Sequence, residues 1–461
     1  MANVGNLWIF CKESLLLCIY IYTKNTLYSK TMQLTNRKFY PWLVVGLLWV
    51  VALLNYLDRQ MLSTMQSNIA LDIPALRNAE MFGWLMAVFL WVYGIASPFS
   101  GAVADRVSRK WLIVGSLGVW SAVTLAMGYC SDFSEMMWLR GVMGLSEALY
   151  IPSALSLIAD YFTGRGRSLA IGLHMTGLYC GQALGGYGST VASAWSWQAT
   201  FHWFGIIGIG YAVVLMFLLH EKESPAMATR PKAPAKRQNR EPLLQSIAAV
   251  VGNIAFWVIL FFFATSSIPG WATKNWLPTL FQDNLALDMT QAGPMATLTI
   301  AASSFLGVMI GGPISDRWVK RNVRGRIFTS AIGMALMIPS LALLGLAHNA
   351  WMAVLAGVLF GVGYGMFDAN NMPILCQFIS SRQRAMAYGI MNSIGVIMGA
   401  ITTTLLGGLS ETVGLGTCFA LMGGILLLAL ILQLTTLHPK YDDKDMEATG
   451  ADGLKADTIE A

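Results

Sequence analysis

The ten residues from Gly101 to Lys110, Gly-Ala-Val-Ala-Asp-Arg-Val-Ser-Arg-Lys, return in altered form from Gly312 to Arg321 as Gly-Pro-Ile-Ser-Asp-Arg-Trp-Val-Lys-Arg. Both copies sit at the end of a long apolar run, 211 residues apart. A Gly-x-x-x-Asp-Arg turn with trailing basic charge, set at the same place in two apolar stretches, marks a duplicated membrane bundle. This constrains the fold more than any other feature of the chain.

Apolar residues fill 56% of the 461 positions and charged residues 12%, about half the charged share of an ordinary globular domain. A hydrocarbon core takes about 20 helical residues to cross. Six runs of that kind fall between residues 42 and 219, and six more between 247 and 436. They are rich in Leu, Met, Ala and Gly and lack the ten-residue alternation of barrel strands, so backbone polar groups are satisfied within helices. The expected fold is all-α and polytopic, with twelve transmembrane helices in two pseudo-symmetric six-helix bundles.

A second echo supports two halves of common origin. Glu147-Ala148-Leu149-Tyr150-Ile151-Pro152 answers Asp368-Ala369-Asn370-Asn371-Met372-Pro373 at an offset of 221, and Arg167 and Gly172 answer Arg384 and Gly389 at 217. The expected layout is a cytoplasmic lead over 1–39, a bundle over 40–220, a basic, proline-containing linker over 221–245, a second bundle over 246–437 and an acidic tail over 438–461. The substrate cavity is expected where the halves meet. Within the lead, the apolar patch Leu15 to Tyr22 is too short to span and lacks a cleavage site, and Met32 is the expected start of translation.

The net charge of +6 is not a nucleic-acid signal, because most Lys and Arg lie in alternate connections on one side, with Arg77 and Lys274 near the other. That imbalance places both termini in the cytoplasm. The six cysteines show no CxxC spacing and read as packing thiols. No nucleophile elbow, zinc motif or phosphate loop stands in a supporting context. An enzyme, a resident metal and a cofactor are not expected.

Charges inside apolar runs are costly and need a reason. Helix one carries Asn55, Tyr56, Asp58, Arg59, Gln60 and Ser63; Asn55, Arg59 and Ser63 share a face, with Asp58 beside it. Helix four carries Arg140 and Glu147, about 10 Å apart along one face. Lys274 and Asp368 add charge from helices seven and ten. One buried ion pair could serve packing alone, but so many charges in one chain point to a carried anion. A guanidinium meets a carboxylate through two parallel hydrogen bonds, which makes Arg59 the first candidate for that contact. Burial disfavours a charged carboxylate, so Asp58 and Glu147 are candidates to take up and release a proton.

The Gly101, Asp105, Arg106, Arg109 and Lys110 loop resembles the signature of the major facilitator superfamily, with Ser108 at its usual second glycine, and the likeness spans residues 40 to 437. Gly312, Asp316 and Arg317 are its second copy. The resemblance implies a latch at the cytoplasmic helix ends. Asn55-Tyr56-Leu57-Asp58-Arg59, the Arg140–Glu147–Pro152 spacing and Asn275-Trp276-Leu277-Pro278-Thr279 resemble the anion:cation symporter family within it. That implies a proton-coupled carrier of a sugar acid, hexuronate or aldonate, in a bacterial inner membrane, acting as a monomer by alternating access.

By this resemblance Arg59 binds the carboxylate, Asp58 and Glu147 couple protons with Arg140 tuning Glu147, and Tyr56, Tyr93 and Asn392 bond hydroxyls. Lys274 joins the substrate site by its charge. Leu178 departs from the expected amide of helix five, with His174 and Gln182 on nearby turns; Lys274 and Asp368 match no general family feature. Sodium coupling stays open. His174 reads as a core histidine, and Trp271 and Trp276 as either pathway or interfacial residues.

Three other readings compete. The Asn-Tyr-x-Asp-Arg-Gln order ending in Gln60 also resembles spinster-type lysolipid carriers. Phosphate-ester exchangers use a second Arg in helix seven, where this chain has only Lys274. A transporter-like membrane sensor would bind ligand without flux. Gln182, standing where drug exporters have a proline, argues against drug efflux.

Overall fold

The computed structural model describes residues 39–104, 107–162, 166–221, 250–379 and 383–439. Asp105, Arg106, the lead before Phe39 with its Leu15–Tyr22 patch and Met32, the tail from Lys440 onward and all of the linker except Glu221 lie outside them. The long helices are α1 (Tyr40–Thr64), α2 (Ala79–Ala104), α3 (Arg109–Met127), α4 (Phe133–Tyr161), α5 (Gly166–Gly185) and α6 (Trp197–Leu218) in the first half. The second half holds α7 (Ile254–Leu285), α8 (Met289–Val319), α9 (Gly325–Gly345), α10 (Ala350–Cys376), α11 (Arg384–Ser410) and α12 (Leu415–Thr436).

Side-chain caps satisfy several exposed helix starts. Asp132, Ser196, Asn253 and Asn349 each accept a backbone N–H of the first turn, replacing bonds that a helix cannot supply to its own first turn. Among the described residues, eleven helices are long and apolar enough to span a membrane. The exception is α5, diluted by Arg167, His174, Thr176 and Gln182 and sheltered between α1 and α8.

Packing repeats between the halves. In the first, α1 packs on α5, α2 on α4 and α3 on α6; in the second, α7 packs on α11, α8 on α10 and α9 on α12. Close approach explains the glycines of α5 and α10. A methyl on Gly177 would stand 2.6 Å from the Trp49 carbonyl oxygen, and one on Gly357 would stand 2.8 Å from Thr299 Cγ2, as in the small-residue seams of membrane helices.

Two helix pairs make the most extensive contacts between the halves, α2 with α11 and α5 with α8. Ser393 donates to the Gly94 carbonyl at 2.5 Å, and Thr297 donates to the Ala183 carbonyl at 3.2 Å. The α5–α8 seam lies at the end remote from Tyr40 and Thr436, where the first and last helices begin and end, and approaches at backbone range: a methyl on Gly293 would be 2.5 Å from the Gly186 oxygen.

Two sequence expectations are refined. The fourth span is interrupted at Ala148 and Leu149, directly after Glu147. The fifth ends at Gly185, with a short helix, Gly188–Ala194, carrying the chain on.

At the terminal side, Glu221 accepts hydrogen bonds from Ser108 Oγ at 2.7 Å and the Lys110 backbone N–H at 2.6 Å. An acid thus serves the amino end of α3, where the helix dipole favours one. His220 is held beside it by Tyr161, whose hydroxyl donates to the His220 carbonyl at 2.7 Å. Arg109 pairs with Asp160 of α4. In the second copy Asp316 and Arg326 stand 3.9 Å apart. Arg317 closes the helical run of α8, and Gly312 has open space around it.

Candidate functional site

A cavity of about 600 Å³ lies between the halves. It runs from the middle of α1 and α7 toward the terminal side, where Leu169 and Gly172 of α5 and Tyr388 and Asn392 of α11 form its walls. Every substrate-binding candidate from the sequence, Tyr56, Arg59, Tyr93, Lys274 and Asn392, lines it.

Arg59 is the centre of the first-half wall. Its Nε donates to Glu147 Oε2 at 2.6 Å. The guanidinium carbon lies 4.6 Å from the Phe89 ring centroid, 4.8 Å from Tyr93 and 5.1 Å from Tyr56. Aromatic faces attract cations and hold the fork in place without consuming its donors. Both Arg59 Nη2 and Glu147 Oε1 are left without a hydrogen-bond partner. Buried polar atoms are rarely left so, and here both belong to one ion pair at a cavity wall.

The other first-half charges stand behind that wall. Glu147 is fully buried, Arg140 is 2% exposed and Asp58 is 6% exposed. Thr124 Oγ1 donates to Asp58 Oδ2 at 3.4 Å. Arg140 does not form the direct bond to Glu147 that their helical spacing invites; it donates to Met143 Sδ at 3.2 Å and lies 4.7 Å from the Phe89 ring centroid. Both residues belong to the same unbroken stretch, Phe133–Glu147, and each side chain takes a different partner. No hydrogen bond or salt bridge joins Arg140 to Glu147. Asn55 and Ser63 are buried away from the cavity, although they share the helical face of Arg59.

The second-half wall carries Lys274 and Asp368. The Lys274 ammonium lies 4.7 Å from the Trp271 ring centroid and 5.7 Å from that of Tyr364. Asp368 Oδ1 accepts from Asn371 Nδ2 at 3.3 Å. Among the described residues the ion pairs are Arg59–Glu147, Arg109–Asp160 and Arg326–Asp316, so Lys274 and Asp368 share a wall without pairing. Three cations, Arg59, Arg140 and Lys274, thus face or back the cavity together with three acids, Asp58, Glu147 and Asp368.

Several lining residues were not picked as site residues from the sequence: Tyr179, Tyr364, Tyr388, Gln182 and Asp368. The tyrosines carry no spacing signal, since a membrane tyrosine reads equally as an interfacial anchor. Of the two tryptophans, Trp271 lines the cavity. Trp276 does not: it is buried and donates to the Thr403 carbonyl at 3.1 Å. His174 is buried against Tyr150, their ring centroids 6.1 Å apart, and lies off the cavity.

Two pseudo-symmetric bundles around a charged central cavity define a secondary-transporter architecture. The chain belongs to the Major Facilitator Superfamily, whose family model matches residues 48–342 and 304–455. It is a multi-pass membrane transporter, not an enzyme.

The probable galactarate/D-glucarate transporter GarP of Escherichia coli is 23% identical over 422 residues, covering 85% of this chain and 94% of its own. The hexuronate transporter of Bacillus subtilis is 24% identical over 414 residues, covering 86% and 94%. Protein spinster homolog 1 of Xenopus tropicalis is 28% identical over 338 residues, covering 69% and 62%. A solved bacterial homologue of the human lysosomal transporter spinster, inward-facing and occupied, superposes with a TM-score of 0.70 at 17% identity over 87% of this chain and 97% of that one.

Proposed function

We propose that this protein carries an organic anion, a sugar acid, together with protons across a bacterial inner membrane, as a monomer and by alternating access. The observation that carries the reading is the half-satisfied Arg59–Glu147 pair at the cavity wall. A substrate carboxylate arriving at Arg59 competes with Glu147 for the guanidinium. Once displaced, a buried carboxylate is costly while charged and takes a proton. Substrate binding and protonation are thereby linked at one residue pair, with Asp58 on the neighbouring position of α1 as the second acceptor. Tyr56, Tyr93 and Asn392 supply hydroxyl partners. The sugar-acid carriers among the relatives support this choice of anion. Arg109–Asp160 and Asp316–Arg326, with the two signature loops, act as the gate at the terminal side.

Proteoliposome uptake tests the coupling. Glu147→Gln is expected to abolish accumulation driven by a pH gradient while keeping substrate exchange. Unchanged accumulation would remove Glu147 from the coupling role, and accumulation that follows a sodium gradient instead would replace the proton.

A lysolipid carrier is the second reading. Leu169, Leu173 and Met309 give the cavity an apolar side between α5 and α8, and all three are exposed. It requires stabilisation by lysolipids and indifference to sugar acids.

A further inference from the structure

Resting on the anion reading, we propose that Lys274 is a second anion-docking point and that the substrate is a two-ended acid, a polyhydroxylated dicarboxylate, held between Arg59 and Lys274. Three observations converge. First, the ammonium of Lys274 lines the same cavity as Arg59 but from the opposite half. Second, it is held against ring faces, and the Asp368 carboxylate acts on it through space without a salt bridge. Trp271 and Tyr364 flank it, and no ion pair joins it to Asp368 or to any other described acid. Its N–H donors therefore remain available to a ligand. A lysine kept only for packing would neutralise its charge on the acid sharing its wall, because an unpaired cation in a membrane interior is costly.

Third, a hydrogen bond joins the two helices directly beside the two cations. Gln60, the residue after Arg59, donates from Nε2 to the Lys274 backbone carbonyl at 2.8 Å and to Ser63 Oγ at 2.6 Å. This bond crosses from α1 to α7 and ties the two docking points into one frame. Between them Tyr56, Tyr179, Tyr364 and Gln182 present hydroxyl and amide groups to the cavity, which suits a chain of hydroxyls joining two carboxylates. A neutral sugar or a single-ended acid leaves the Lys274 ammonium unanswered. Rejection of a ligand that lacks a partner for a buried polar group is the stronger form of selectivity.

The test measures binding to purified full-length protein in lipid nanodiscs by calorimetry, using six-carbon acids that differ at one end. The probes are galactarate and D-glucarate (two carboxylates), and galacturonate and gluconate (one). Wild type is expected to bind the diacids at least tenfold more tightly than the monoacids. Lys274→Met, which keeps length and ring packing, should bring the diacids down to the monoacid level and weaken the monoacids far less. Retained monoacid binding shows that the variant is folded, and Lys274→Arg should restore the preference.

Equal wild-type affinity for both classes would overturn the proposal, as would an equal loss of both in Lys274→Met. Either result leaves the anion reading standing. Wild type that binds neither class overturns both readings, and the lysolipid carrier takes their place.

Discussion

The Gln60 side chain and the Lys274 carbonyl meet at 2.8 Å across the two halves of the molecule. Gln60 follows Arg59 in α1 and Lys274 projects from α7, so one hydrogen bond links the two helices beside their cavity-lining cations. If the bond is retained as the cavity opens to either side, α1 and α7 pivot about it. Gln60→Leu should then weaken coupling between the halves, with transport reduced severalfold and binding at Arg59 nearly intact, as read by uptake against calorimetry.

The Arg59–Glu147 pair should show strong non-additivity. Removing one member of a buried pair costs about 3 to 5 kcal/mol because the remaining charge is stranded. Glu147→Leu and Arg59→Met should each lower the melting temperature markedly. The double variant should recover most of that loss, and two single effects that simply add would show that the pair is not coupled.

The acid beside Lys274 gives a charge-dependent prediction. Asp368→Asn removes a negative charge from the wall that receives the second carboxylate, and diacid affinity should rise a few fold. Monoacid affinity should move less. Calorimetry on the same probes reads both, and a fall in diacid affinity would mean that Asp368 itself contacts the ligand.

The seam between α5 and α8 closes through glycine. A side chain at Gly186 has no room against Thr297 and the Gly293 backbone, so Gly186→Leu should prop that end open. A cysteine placed at Thr190 should become severalfold more reactive to a membrane-impermeant maleimide from the side remote from the termini. Transport should fall at least tenfold while acid binding persists.

Outside the membrane, burial and the nearby Lys110 charge hold His220 below its ordinary value of 6.5. The native state therefore prefers neutral His220. Its contribution is present above about 6.5 and is lost as the pH falls below that value toward the lowered native one. His220→Gln should make the melting temperature less sensitive to acidification over that window.

Much of the architecture is legible in the chain because membrane spans announce themselves by length and apolarity, and because duplication repeats Asp-Arg and Pro landmarks at near-constant offsets. Arg59 and Lys274 are legible for the same reason: charge in an apolar run needs an explanation. The break after Glu147 is legible as well, since Pro152 has no N–H for the Ala148 carbonyl four residues earlier and its ring crowds that carbonyl. Tyr179, Tyr364 and Tyr388 escape, because which face of α5, α10 or α11 meets the cavity depends on how the halves dock. Glu221 escapes for a related reason: its partner at the start of α3 lies 111 residues away in sequence.

The balance of three cations and three acids around the cavity has an electrical consequence. With all six ionised, the empty carrier holds no net charge where the membrane field is steepest. A charge moved across the full field is worth about 2.3 kcal/mol per 100 mV, and the unloaded protein has none to move. In that ionisation state the return stroke moves no net cavity charge, whereas a dianion entering with one proton, or with three, makes the loaded stroke electrogenic in opposite directions.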